Sequence, residues 1–178
     1  MTRILALLLA GSASAQDCPP PPDREEERRA LMAELRVAPT PDEAGRISAA
    51  LWRIWADAPD PRAQAMLDRG AALIARRELG PARAALGELV AYCPDYAEGW
   101  NQRAFAAFLA QDFAAALADL DRARQLSPEH LGVLSGRAMT LMGLGRDEEG
   151  QDQLREALRL NPWLAERALL DGPIERDL

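Results

Sequence analysis

His130 is the only histidine, Cys18 and Cys93 are the only cysteines, and all 21 basic residues are arginine. Acid–base or nucleophilic catalysis needs a nucleophile held within reach of a base, and metal binding needs ligands at a fixed spacing. Neither pattern is present. His130 follows Ser127-Pro128-Glu129, a turn sequence, and is expected to be exposed there. Gly143-Leu144-Gly145 matches the start of a dinucleotide fingerprint, but it lies between two helical stretches instead of after a strand, so it reads as a turn. The expectation is a non-enzyme without cofactor or metal.

The elements that would position any site come from a repeat. Pro94, Pro128 and Pro162 stand 34 residues apart, and the residues between them recur in register. In the first half of each unit Met66, Trp100 and Leu134 correspond, then Gly70, Ala104 and Ala138, then Leu73, Ala107 and Leu141. The spacing i, i+4, i+7 is one face of a helix. In the second half Ala82, Ala116 and Gly150 correspond, then Leu86, Leu120 and Leu154, then Leu89, Ala123 and Ala157. Small residues recur where helices approach closely and large ones where they interlock. Units of this length are helix-turn-helix pairs that stack into a solenoid, whose functional surface is a long groove. Turns are expected near Gly80, Gln111 and Gly145, and Trp100 is expected to be the central buried residue.

With Trp100, Ala104, Ala116, Leu120, Ala123 and Pro128 all in place, the middle unit resembles the tetratricopeptide repeat, and the chain resembles short secreted bacterial proteins built of such units. Arginine at 69, 103 and 137, Ala107 and Gly150 depart from the family pattern, and the last two suggest looser packing. The resemblance implies an all-α, right-handed α-solenoid: three clear repeats (63–96, 97–130 and 131–164, the run 63–162), a degenerate N-terminal helix pair (23–58) and a capping helix (163–171). It also implies that a second face of each first helix lines a concave groove for a protein or peptide. That face carries Leu67, Ala71 and Ile74, then Asn101, Phe105 and Phe108, then Ser135, Met139 and Met142. Phenylalanine beside methionine suits varied peptides, whereas the lysine clamp for a carboxylate terminus is missing. The same side chains could instead pack on one another or on the N-terminal helices. Arg69, Arg103 and Arg137 form a column that either faces an acidic partner or pairs with carboxylates such as Asp68, Asp119 and Asp121.

Ahead of the repeats, Met1-Thr2-Arg3, the apolar run Ile4 to Ala10 and the small residues to Ala15 read as a signal peptide (1–15). The chain is then expected to cross the inner membrane into the periplasm. A Pro-rich leader (16–22) follows. In an exported protein Cys18 and Cys93 suggest one disulfide, the alternative being two separate thiols. The formal net charge of -7 disfavours nucleic acid, and no stretch is long enough to span a membrane. A scaffold binding a protein or peptide fits these features. The other reading is a structural subunit of a homo-oligomer or fixed envelope complex, its groove filled by a partner helix.

Overall fold

The computed structural model describes residues 18–172; the signal-peptide reading falls outside the described residues. Among those described there are eight α-helices and no strand. They are α1 (Glu25–Arg36), α2 (Pro41–Trp55), α3 (Pro61–Ala75), α4 (Leu79–Tyr92), α5 (Ala97–Leu109), α6 (Phe113–Leu126), α7 (Leu131–Gly143) and α8 (Asp147–Leu160). The helix starts have local causes. Thr40 and Asp60 accept from the backbone N–H groups of Glu43 (3.2 Å) and Ala63 (2.7 Å), each followed by proline at the first helical position. Ahead of α1, which starts at Glu25, the Asp23 carboxylate accepts from the Glu25 N–H at 3.2 Å.

Helices α3 to α8 form three antiparallel pairs that stack in chain order. Each pair turns through a left-handed residue at the same point of the 34-residue period: Arg77 (φ 64°), Gln111 (φ 60°) and Gly145 (φ 72°). In each turn the next N–H reaches back five residues: Glu78 to the Leu73 carbonyl at 3.0 Å, Asp112 to Ala107 at 2.9 Å, and Arg146 to Leu141 at 2.9 Å. This closes the helix end as a Schellman cap does. Gly80 is therefore not the turn of the first pair. It lies inside the first turn of α4, because the back-bonded cap ends α3 three residues earlier.

The second-helix core positions are buried in all three pairs, whereas Met66, Leu73 and Trp100 on the first helices are only partly buried. Trp100 is half-buried; its indole N–H donates to the Pro94 carbonyl (3.0 Å) and the Arg103 guanidinium lies 4.8 Å from its ring centre. Apart from His130 at its end, the fully buried positions of this unit are the small Ala106, Ala107, Ala116 and Ala123. Gly150 does not loosen the last pair. A methyl added there would meet the Ala138 carbonyl at 3.0 Å and Met142 Cγ at 2.7 Å, so the glycine lets α8 approach α7 more closely than alanine could. The expected capping helix at 163–171 is a 3-10 turn, Ala165–Leu169. Gln151 holds it by donating to the Leu169 carbonyl and accepting from the Asp171 N–H.

The N-terminal pair departs from the solenoid order. Helices α2 and α3 barely touch, whereas α1 packs on α8. The hairpin has folded back along the stack instead of continuing it.

Candidate binding groove

Residues 18–60 are anchored at one place and run to another. At the base, Cys18 is joined to Cys93 by a disulfide (Sγ–Sγ 2.00 Å, Cα–Cα 5.1 Å), Tyr96 Oη donates to the Trp55 carbonyl (3.0 Å) and Tyr92 Oη to Asp60 (2.7 Å). In the middle, Glu129 accepts from Arg28 (2.8 Å) and Arg36 (2.6 Å). At the far end, the Trp163 indole N–H donates to the Ala38 carbonyl (2.9 Å) and Asn161 contacts Ser48 (3.4 Å). Residues 92–96 and 129–130 lie at the two turns between stacked pairs and 161–163 leave the last pair at the same point of the period, so the hairpin lies along the whole row of them. Its apolar face, Met32, Leu35, Ile47, Leu51 and Trp55, is buried with Leu131 and closed by Leu160 and Trp163.

Trp52 and Trp55 enter the stack between α5 and α7. Trp55 lies on the His130 ring, centroids 4.1 Å apart and planes inclined by 21°, and Trp52 meets both rings edge-on. A methyl at Gly132 would come within 2.5 Å of Trp52 Cη2 and 3.4 Å of Asn101 Nδ2, so Trp52, Gly132 and Asn101 converge on one spot. Only glycine admits the indole this closely. His130 is fully buried, contrary to the exposure expected of a turn histidine, because the hairpin covers that turn. Its Nε2 lies 2.9 Å from Glu98 Oε2, misaligned for a hydrogen bond, while Glu98 also accepts from Asn101 (2.9 Å) and Gln102 (2.6 Å).

The face expected to line the groove divides. Leu67 and Ile74 belong to the core shared with Leu86, Tyr96 and Ala106 and are interior, because the stack brings the neighbouring helix over them, whereas Met142 packs on Ala138 and Leu154 but is only half-buried. Asn101 and Ser135 are buried. Ala71 is exposed, Phe108 and Met139 are half-buried, and Phe105 is 44 % exposed. Phe108 also leans on Phe113, ring centres 5.5 Å apart. The groove is thus covered at the N-terminal ends of α5 and α7 and open farther along them. Sequence reasoning missed Trp52, Trp55, Glu98 and His130. The one visible signal was a second tryptophan on α2 beyond what its core face requires.

Comparisons with known proteins bear on the stacked repeats. No family model matches the chain. A TPR repeat-containing protein of Rhizobium etli is 29% identical over 118 residues, covering 66% of this chain and 58% of its own length. The first TPR domain of Spaghetti (RPAP3) bound to an HSP90 peptide superposes with a TM-score of 0.59 at 21% identity, over 60% of this chain and 85% of that one. The Arabidopsis OM64 TPR domain gives 0.58 at 20% identity, over 60% and 88%. The yeast Sti1 TPR2AB domain in complex with pHSP90 gives 0.55 at 21%, over 81% of this chain and 58% of that one. The chain has the tetratricopeptide-repeat (TPR) fold. The chain spans little more than half the length of its curated TPR relative.

Charges on the TPR stack are mostly neutralised within it. Arg103 makes a two-pronged bond to Asp119 (2.7 and 2.6 Å), and Arg137 bridges Asp121 (2.7 Å) and Gln153 (2.8 Å). Two of the three column arginines are therefore turned to the second helices of the repeats. Glu129 is held below the ordinary glutamate range by the hydrogen bond from Arg28, with Arg36 adding to it against the opposing effect of burial. Burial pushes the Tyr96 hydroxyl up, keeping it a neutral donor to the Trp55 carbonyl. Among the described residues no group of three His, Cys, Asp or Glu could hold a metal ion.

Proposed function

We propose that this TPR protein is an exported, non-catalytic scaffold that holds a protein or peptide on its concave face. The observation that carries this reading is that the face already holds a helix, with Trp52 seated between Gly132 and Asn101. A surface that packs an amphipathic helix in cis has the shape to accept one in trans. Beyond the hairpin, Phe105 stays solvent-accessible with Phe108 and Met139 partly so, an apolar and adaptable continuation. Peptide-bound neighbours of the same fold support a peptide or protein as the ligand class. His130 is sealed behind Trp55, which removes the one imidazole from any substrate. The acidic balance opposes phosphate backbones, and no helix among the described residues is long and apolar enough to cross a membrane. The apolar N-terminal run and the Cys18–Cys93 bridge support an oxidising, periplasmic setting.

A photo-crosslinking residue placed at Phe105, compared with one at exposed Gln125 on α6, tests the reading in the native compartment. Capture of a discrete partner through position 105 and not through 125 is expected. Equal capture at both positions, or none at 105, would reject the groove. A second reading, a fixed structural subunit, draws on the hairpin's filling of the groove mouth. It requires a stable oligomer or complex, so a purified protein whose sedimentation mass stays monomeric at all concentrations excludes the homo-oligomer.

A further inference from the structure

The hairpin that covers the groove mouth is built differently from the stack beneath it. Successive pairs from α3 to α8 share continuous helix contacts, whereas α2 barely touches α3 and the hairpin sits across the row of turns. Its seat is imperfect. The Trp55 indole N–H and His130 Nδ1 are buried without hydrogen-bond partners, each a cost that exposure would remove. A cleft of about 250 Å³ remains between the start of α1, the end of α2 and the turn at His130. Trp52 is still 38 % exposed although its ring tip fills the space over Gly132. The mid-length and far-end contacts are partly exposed pairs with Glu129 and single hydrogen bonds at Ala38 and Ser48, individually weak in water. Only the base is covalently secured at both strands, through the Cys18–Cys93 bond and through the chain itself at residues 56–60.

We propose that the α1–α2 hairpin is a displaceable occupant of the groove mouth, and that a partner's amphipathic helical segment takes its place. The partner would carry two large aromatics three residues apart for the Gly132 and His130 sites and a basic residue for Glu129. That chemistry is copied from the cis occupant: Trp52 and Trp55 supply the aromatics, and Arg28 and Arg36 converge on one carboxylate at the rim of an acidic protein. The anchored base lets the hairpin swing at its far end without leaving the molecule, so it re-covers the surface when the partner departs. The inference rests on the concave-face reading above and names the ligand class for it.

The test uses the whole chain, with its disulfide intact, and a latch variant carrying Arg28→Gln and Arg36→Gln. Both substitutions change only the hairpin's side of the mid-length contacts and leave Glu129 and the rest of the receiving surface intact for the probe. The probe is a synthetic peptide of residues 23–58 of this chain. Saturable binding roughly tenfold tighter to the latch variant than to the wild type is expected, with a matching loss when the peptide carries Trp52→Ala and Trp55→Ala. Amide exchange in α1 and α2 should accelerate in the latch variant while that in α5 and α6 does not. The proposal is overturned if the latch variant does not bind the peptide. It is equally overturned if α1–α2 and α5–α6 amides exchange together in both proteins, since the hairpin would then open only when the whole chain unfolds. Capture through position 105 with a hairpin that never opens would leave the scaffold reading intact and remove this one. A hairpin that opens and accepts the peptide, with no partner captured at 105, would do the reverse.

Discussion

Single residues show where the repeat is strict in conformation and loose in sequence. The left-handed turn position holds Arg77, Gln111 and Gly145, although only glycine adopts that conformation without steric cost. A non-glycine residue there costs roughly 1–2 kcal/mol, less what glycine loses in chain entropy. Gln111→Gly should therefore raise unfolding stability by about 0.5–1 kcal/mol, and Gly145→Ala should lower it by about 1 kcal/mol. Urea titration of the two variants decides the matter, and a destabilising Gln111→Gly would show that its side chain matters more than its backbone. Sequence reading placed the first turn at Gly80 because Gly-Pro is the stronger local signal; the back-bonded cap at Arg77 carries no such mark. His130 misled for a related reason. A polar residue after a proline turn is exposed unless something distant covers it, and what covers it lies about 75 residues earlier in the chain.

Among elements, the α1–α2 hairpin separates what a sequence can specify from what it cannot. Ile47, Leu51 and Trp55 at helical spacing form one buried face of α2, and Thr40-Pro41 sets its start; both are local patterns that a sequence carries. Whether that face stacks on α3 as a further repeat or folds back over the groove depends on which surface is more complementary, and both are apolar. The residues assigned to the groove divide for the same reason. Helical periodicity gives the angle of a side chain, but not whether a neighbouring helix stands over it, so Leu67 and Ile74 are core while Phe105 is open. The hairpin's polar latch also predicts an acid dependence. Glu129 faces Arg28 and Arg36, with Glu25 sharing Arg28, and both carboxyls are depressed by hydrogen bonds from Arg28. A depressed carboxyl contributes stability that is fully present above its unfolded value, 4.5 for glutamate, and is lost as pH falls through the lower folded value. Exchange of α1 and α2 amides, corrected for intrinsic rates, should therefore accelerate relative to α5 and α6 as pH drops below that value. A constant ratio down to the acid unfolding transition would show that the Glu129 contacts do not hold the hairpin down.

For the whole molecule, the 34-residue period made the stack from α3 to α8 legible, because each interface must reuse the same alternation of small and large side chains. The end of the stack was less so. Trp163 was read as part of a capping helix, but its indole is committed to Ala38 in the hairpin and the segment after it shortens to a 3-10 turn. The disulfide ties this long-range arrangement together over a sequence separation of 75. Chain-entropy reasoning assigns such a closure about 4 kcal/mol. Replacing both cysteines by serine should lower the unfolding free energy by roughly that amount, read from a urea titration in which both midpoint and slope are fitted, since the released unfolded chain exposes more surface. A loss below about 1 kcal/mol would mean that the unfolded chain gains little freedom when the bridge is removed.

The place of the hairpin is most directly measured by nuclear Overhauser contacts of the Trp52 indole in solution. Cross-peaks from the Trp52 ring to the Gly132 α-protons, together with contacts between the Trp163 indole N–H and Ala38, are the expected result. A Trp52 ring that shows contacts within α1 and α2 or to α3 and none to Gly132 would contradict it. The N-terminal pair would then be an ordinary added repeat, leaving the concave face open.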